Sequence, residues 1–76
     1  MKHEVAEKVV AIMQSVTKAM DESISLVQQQ CPDEEFAEYR KAAGQVMGYL
    51  FTDIVRPIFQ EHPDLVPEAM RTGTRN

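Results

Sequence analysis

Apolar side chains in the first thirty residues recur at steps of three and four, the spacing that places them on one face of an α-helix. They form two adjoining rows. The valine row consists of Val5, Val9, Ile12, Val16, Ala19, Ser23 and Leu26. The alanine row consists of Ala6, Val10, Met13, Thr17, Met20, Ile24 and Val27. Because neither glycine nor proline interrupts these rows, the pattern predicts one continuous helix over residues 3–30.

A turn is predicted where Cys31 and Pro32 follow this helix. Pro32 disfavours helical backbone at the residue before it, and Asp33 is a suitable N-cap for a second helix. Glu34 and Glu35 then lie in the first turn, where the helix dipole favours negative charge. Two long helices joined by so short a turn form an antiparallel hairpin.

The second helix, predicted over residues 34–61, also carries two adjoining apolar rows. The glycine row consists of Gly44, Gly48, Phe51, Val55 and Ile58, and the methionine row of Ala43, Met47, Leu50 and Ile54. A glycine inside a helix is less favourable than alanine by about 1 kcal/mol. The pair Gly44 and Gly48 therefore favours a close contact with another helix, and the alternative is that both glycines are simply tolerated.

Two prolines determine what is predicted for the end of the chain. Pro57 cannot donate a backbone hydrogen bond and its ring clashes with the carbonyl group four residues earlier, which predicts a kink in the second helix near Pro57. Pro63 ends that helix. A short third helix is then predicted over residues 65–71, folded back over the end of the hairpin.

The number of apolar rows suggests a second copy of the chain. In a monomeric hairpin each helix has one long neighbour, yet each carries two rows. We therefore predict an all-α fold in which the antiparallel hairpin and its short third helix pair as a homodimeric four-helix bundle. The alternative is a monomer whose third segment lies along the groove. Residues 1–71 form a single helical domain in either case, and residues 72–76 a frayed tail. Helix packing or the dimer interface is predicted to involve Val9, Val16, Met20, Ala43, Gly44, Met47, Gly48, Phe51, Ile54 and Val55.

The amino-acid composition restricts the classes of protein to which this chain can belong. A chain of 76 residues has a thin core, and its single cysteine, Cys31, excludes an internal disulfide, so a second copy is favoured as an additional source of stability.

No run of 18 uncharged apolar residues occurs, and the first residues are charged where a signal peptide is apolar, so we expect no membrane span and a cytoplasmic location. Twelve acidic residues outnumber eight dispersed basic ones, giving a net charge of −4, which counts against nucleic-acid binding.

Groups able to perform catalysis do not converge in the sequence. No Ser-His-Asp grouping or glycine-rich phosphate loop is present, so no enzymatic activity, cofactor or small-molecule substrate is expected. His3 and Glu7 share a face of the first helix and form half of a metal-binding pattern, but no second half follows, and no metal site is predicted. His62 is interpreted as a helix-terminating residue or a pH-sensitive one, and Cys31 as a structural or incidental thiol.

These observations favour a small non-enzymatic protein that self-associates and acts as an adaptor or regulator by binding another protein. A possible partner surface lies on the outer face of the second helix, at Gln45, Tyr49, Thr52 and Arg56, since tyrosine and arginine are common interface anchors. One alternative is a nucleic-acid-associated regulator with hairpin-dimer architecture, by analogy of shape alone. Another is a metal-binding helical bundle.

Overall fold

The apolar rows fold as helices throughout the part of the chain that the structure describes. A computed structural model describes residues 1–67, in which no strand occurs. Its elements are helix α1 (His3–Gln30), helix α2 (Asp33–Tyr49), a π-helical segment (Leu50–Val55), helix α3 (Arg56–Glu61) and a 3₁₀ turn (Pro63–Leu65). The predicted all-helical class is confirmed for these residues.

The reversal between α1 and α2 takes only two residues. Cys31 and Pro32 both have extended backbone, and the Cys31 N–H donates to the carbonyl oxygen of Val27 at 2.9 Å. Pro32, not Asp33, is the N-cap of α2, since the N–H of Phe36 donates to its carbonyl oxygen at 3.0 Å. The N-cap position requires an extended residue with a free carbonyl group, which proline supplies. Asp33 is instead the first helical residue, where its charge favours the helix N-terminus.

The alanine row is the face of α1 that packs within the chain. Ala6 and Val10 are buried, and the other members of the row are half-buried. The valine row is mostly exposed: Val5, Ile12 and Leu26 keep 46%, 56% and 54% of their surface accessible. One row of α1 is therefore covered by the second half of the hairpin, and the other is not.

A hydrogen bond between two side chains also joins α1 to α2. The hydroxyl oxygens of Ser23 and Tyr39 lie 2.7 Å apart in a half-buried position. Ser23 also approaches the carbonyl oxygen of Met20 at 2.7 Å, so its hydroxyl group is held in place by its own helix. The polar member of the valine row thus satisfies its hydrogen bonds across the helix pair.

The π-helical segment moves the buried face of the second helix from one predicted row to the other. Ala43 is buried and Met47 and Leu50 are half-buried, all in the methionine row, whereas the next buried residues, Val55 and Ile58, belong to the glycine row. The step from Leu50 to Val55 is five residues, the spacing of a π-turn. Each extra residue rotates the following side chains by about 100° relative to an uninterrupted α-helix. The two predicted rows are thus successive parts of one buried face.

Pro57 follows Arg56, the first residue after this segment. The N–H of Arg56 donates to the carbonyl oxygen of Phe51, five residues earlier, and the chain remains helical through Pro57 to Glu61. A proline leaves the carbonyl group four residues before it without its α-helical donor. Near Pro57, where the sequence predicts a kink, the structure has π-type bonding in the preceding turns.

The close helix contact predicted for Gly44 and Gly48 is not made among residues 1–67. Both glycines are exposed, and a Cβ atom added to either would meet no described atom of another element within 4 Å. The reason is that α2 buries its methionine row against α1, which turns the neighbouring glycines toward solvent. A contact between chains at these glycines stays a prediction.

After Glu61 the chain turns back toward the start of α1. The predicted third helix over residues 65–71 does not begin at Leu65, since Leu65 ends the 3₁₀ turn and Val66 has extended backbone. The remainder of that range, and the frayed tail predicted at 72–76, lie outside the described residues.

The core of the described chain is small and lies at the end of the hairpin opposite the Cys31–Pro32 turn. Ala6, Val10 and Ile58 are buried together there, and Val9, Phe59 and Leu65 pack against them. This cluster brings the first turn of α1 beside the residues that follow α3, where the chain's two histidines lie.

Candidate functional site

His3 and Asp64 form the shortest polar contact at the end of the hairpin. The Nε2–H group of His3 donates to Oδ2 of Asp64 at 2.6 Å, although 51% and 62% of the two side chains are exposed. The hydrogen bond and then the charge of Asp64 raise the pKa of His3 above its ordinary value, and the same hydrogen bond lowers the pKa of Asp64. The pair is therefore a charged hydrogen bond in weakly acidic solution.

The second histidine of the chain, His62, lies against the first. Its ring meets that of His3 edge to face, with centroids 5.3 Å apart. The Nε2–H group of His62 donates to the carbonyl oxygen of Met1 at 2.9 Å, and Oε1 of Glu61 lies 3.5 Å from the same nitrogen. Only 16% of the His62 side chain is exposed, so its orientation is fixed more firmly than that of His3.

An ion pair lies beside the histidines. The amino group of Met1 lies 3.3 Å from Oε1 of Glu61, with roughly a third and half of the two side chains exposed. Exposed pairs of this kind contribute about 0 to 1 kcal/mol. The pair therefore adds little stability. It joins the first residue of the chain, just before α1, to the last residue of α3.

His3, His62 and Asp64 together place three metal-ligating groups at one point. One candidate ligand atom from each residue lies within 4.8 Å of those of the other two. Two imidazoles and a carboxylate form a ligand set used for divalent transition metals. Without a metal ion, the same groups form a charged hydrogen bond and an aromatic contact. We call them the His-His-Asp cluster below.

The sequence pattern pairs His3 with Glu7 and gives His62 a role in helix termination or pH sensing, so it does not predict this cluster. The two histidines lie at nearly equal distances from the Cys31–Pro32 turn, one before it and one after it. In an antiparallel hairpin such positions lie level with each other. Counting outward from the predicted turn would have brought the histidines together, whereas the position of Asp64 depends on the 3₁₀ turn.

The predicted partner surface is exposed but is not one straight line. Gln45, Tyr49, Thr52 and Arg56 are all accessible, and Tyr49 keeps 68% of its surface. Thr52 lies in the π-helical segment and Arg56 follows it. The rotation introduced there displaces these two residues from the line that Gln45 and Tyr49 define.

The residues predicted for helix packing or a dimer interface divide by burial. Ala43 and Val55 are buried, Val9, Met20 and Met47 are half-buried, and Val16, Gly44, Gly48, Phe51 and Ile54 are exposed. The first two groups are covered within the chain. The exposed group is available to a second molecule.

An apolar groove runs between α1 and the second half of the hairpin. It has a volume of about 300 Å³, and Phe51 and Phe59 meet edge to face beside it with ring centroids 6.4 Å apart. Its lining is Val10, Met13, Gln14, Thr17, Met47, Leu50, Phe51, Val55, Phe59 and Pro67. Among residues 1–67, only Gln14 and Thr17 contribute polar side chains to this lining, and such a surface is apolar compared with sites in which several polar groups orient a small substrate.

Comparison with protein-family models, with curated proteins and with solved structures finds no match to this chain. Among residues 1–67, no helix combines the length and the hydropathy needed to cross a bilayer. The exposed faces and the His-His-Asp cluster are therefore the features from which a function can be inferred.

Proposed function

We propose that this chain is a small non-enzymatic helical protein that pairs with a second copy of itself and acts as an adaptor or regulator through protein–protein contacts. The observation that carries the proposal is the exposed valine row of α1. Val5, Ile12, Val16 and Leu26 keep between 37% and 56% of their surface accessible along one face of the helix.

This face is apolar over several helical turns. Single exposed apolar residues are ordinary on protein surfaces, but a continuous row of them is typical of a contact surface. Complete burial of one valine or isoleucine side chain contributes about 1.5 to 3 kcal/mol. In a two-fold dimer each contact occurs twice, so even partial burial of four such side chains favours association.

The exposed surface continues from α1 onto the second half of the hairpin. Ile54, which is 42% exposed, lines a surface groove together with Val9 and Met1. Because Val9 belongs to the valine row, this groove places Ile54 beside that row. A partner that covers the row would then also cover Ile54, which the π-turn leaves outside the core.

The size of the core supports the same proposal. Five apolar residues are buried among residues 1–67, and none of the large side chains there is fully enclosed. A small domain with so little burial is marginal on its own, and association is one of the usual supplements. A standard interface covers about 800 Å² on each partner, which is about one-seventh of the 5912 Å² that this chain exposes.

Regulatory binding of another protein is assigned to the surface at Gln45, Tyr49, Thr52 and Arg56. Tyr49 offers a large amphipathic ring at low conformational cost, and Arg56 offers a planar charged group. We propose the cytoplasm as the setting, where an unpaired thiol such as that of Cys31 stays reduced.

Sedimentation equilibrium of the unmodified chain tests the self-association. The apparent mass should rise with concentration from that of one chain to that of two. A mass equal to one chain at every concentration, up to the millimolar range, would contradict the proposal, and so would growth beyond two chains without a limit.

A further inference from the structure

We propose that the His-His-Asp cluster is a binding site for a divalent transition metal ion of the zinc class, with His3, His62 and Asp64 as its protein ligands. The proposal does not depend on self-association, because all three ligands belong to one chain. It rests on the convergence of three ligating groups from the two ends of the hairpin.

The ligand types suit this class of ion. Imidazole nitrogen and carboxylate oxygen bind Zn²⁺, Co²⁺, Ni²⁺ and Cu²⁺, whereas Mg²⁺ and Ca²⁺ prefer sites made of oxygen alone. Three protein ligands leave at least one coordination position for water. Both histidines of the sequence lie in the cluster, so no other pair of imidazoles in the chain competes with it.

Hydrogen bonds already orient the side chains. His62 donates from Nε2 to the carbonyl oxygen of Met1, and in that tautomer Nδ1 carries the lone pair that binds a metal ion. A ligating histidine commonly donates its other ring nitrogen to a backbone carbonyl in this way. At His3, a metal ion would replace the proton shared between Nε2 and Oδ2 of Asp64, so binding releases that proton.

The movement needed for coordination is small and falls on exposed side chains. Ligand atoms around a tetrahedral zinc ion lie about 3.3 Å apart when the metal–ligand distances are about 2.0 Å. The His3 and Asp64 atoms must separate slightly from 2.6 Å, and the candidate ligand atoms of the three residues, all within 4.8 Å of one another, must adjust to the same spacing. His3 and Asp64 are each more than half exposed and can rotate, while His62 stays fixed.

Binding should also stabilise the fold. His3 is the first residue of α1, and His62 and Asp64 follow α3. A metal ion bound by all three therefore joins the start of α1 to the residues after α3. The unfolded chain does not hold these residues together, and an ion that binds only the folded state raises the melting temperature.

A zinc titration against a chromophoric chelator, at near-neutral pH and on protein without an affinity tag, tests the site. We expect one Zn²⁺ per chain, a higher melting temperature with Zn²⁺, and joint shifts of both histidine ring signals in NMR spectra. Mg²⁺ should produce none of these effects. The exposed variants His3→Asn and Asp64→Asn should each bind Zn²⁺ at least about tenfold more weakly. Removing a residue that only supports a metal ligand already lowers metal affinity by about tenfold or more, and removing the ligand itself should cost no less.

Asp21→Asn is the matched control, since Asp21 is an exposed carboxylate on α1 away from the cluster, and its change should leave zinc affinity unaltered. Circular dichroism establishes that each variant is folded. Equal zinc affinity in the unmodified chain and the Asp64→Asn variant would overturn the proposal. So would the absence of binding, or a stoichiometry of one ion per two chains.

Discussion

The contact between His3 and Asp64 depends on the charge of both side chains. The pKa of His3 is raised, so its contribution to stability is full below the ordinary histidine value of 6.5 and is lost as pH rises through the raised value. The pKa of Asp64 is lowered, so its contribution is present above the ordinary value of 3.8 and is lost as pH falls through the lowered one. The pair therefore stabilises the fold chiefly between these ordinary values.

An NMR titration of the metal-free protein measures this pair. His3 should titrate above the ordinary histidine pKa in the unmodified chain, and the Asp64→Asn variant should return the pKa of His3 toward that value. Asp21→Asn serves again as the control and should leave the pKa of His3 unchanged. If the pKa of His3 is the same with and without the Asp64 carboxylate, the contact is not formed in solution.

Gly48 offers a second test at the scale of one residue. An added Cβ atom there meets nothing within 4 Å, so Gly48→Ala should stabilise the chain by about 0.5 to 1 kcal/mol through helix propensity alone. Urea unfolding measures the change. Ala42→Gly, at an exposed position of the same helix, is the reverse substitution and should destabilise the chain by a similar amount.

A loss of stability in Gly48→Ala would instead support the predicted close contact at the glycines. If another helix packs against the glycines, the added methyl group overfills that contact at a cost of about 1 to 3 kcal/mol. A loss of stability in Gly48→Ala, together with a change of apparent mass, would place the dimer interface at the glycines and not at the valine row.

At the scale of the helices, the π-helical segment is the feature that the sequence did not reveal. Uninterrupted α-helical spacing predicts two full apolar rows on the second helix. The structure instead buries the first part of the methionine row and the last part of the glycine row. Pro57 signalled an irregularity, but a kink and a π-turn both relieve a proline. In the structure the π-turn buries Val55 and leaves Ile54 exposed, whereas uninterrupted α-helical spacing from Leu50 would place Ile54 on the buried face.

Alanine substitutions at these two neighbours distinguish the registers. Val55 is 8% exposed and Ile54 is 42% exposed, so Val55→Ala should destabilise the monomer by about 2 kcal/mol and Ile54→Ala by less. An isoleucine loses more apolar surface than a valine when each becomes alanine, so equal burial would give the reverse order. Urea unfolding at concentrations low enough to keep the chain monomeric provides the comparison.

The first helix shows what periodicity predicts well. Its two rows were identified from spacing alone, and the structure covers one and exposes the other. Spacing could not decide which row would be covered, because both rows are apolar in the same half of the helix. That choice depends on the partner helix, on which Ala43 is buried and Tyr39 forms a hydrogen bond with Ser23.

For the whole molecule, the sequence was sufficient for the all-helical class and insufficient for the cluster of histidines. The class follows from the spacing of apolar residues along each helix and from the turn signal at Cys31 and Pro32, which are short-range signals. The His-His-Asp cluster joins residues about sixty positions apart, and it forms only when the two halves of the hairpin end level. Asp64 belongs to the cluster because it lies in the 3₁₀ turn, which stands where the start of a third helix is expected.

In the folded chain, less apolar surface is left for self-association than the two rows on each helix predict. Two uncovered rows were expected, one on each helix, but the second helix uses parts of both rows in its own core. The remaining apolar excess lies on α1, with Ile54 beside it. We therefore assign the dimer interface to one face, the valine row, where the two copies of α1 should meet.

The most direct test of this claim is the apparent mass of Ile12→Glu measured beside that of Ala11→Glu. Both positions are exposed and both variants add one negative charge, but only Ile12 belongs to the valine row. We predict that Ile12→Glu sediments as a single chain at concentrations where the unmodified protein and Ala11→Glu sediment as dimers. A dimer that forms equally well in both variants would contradict the assignment of the valine row as the interface.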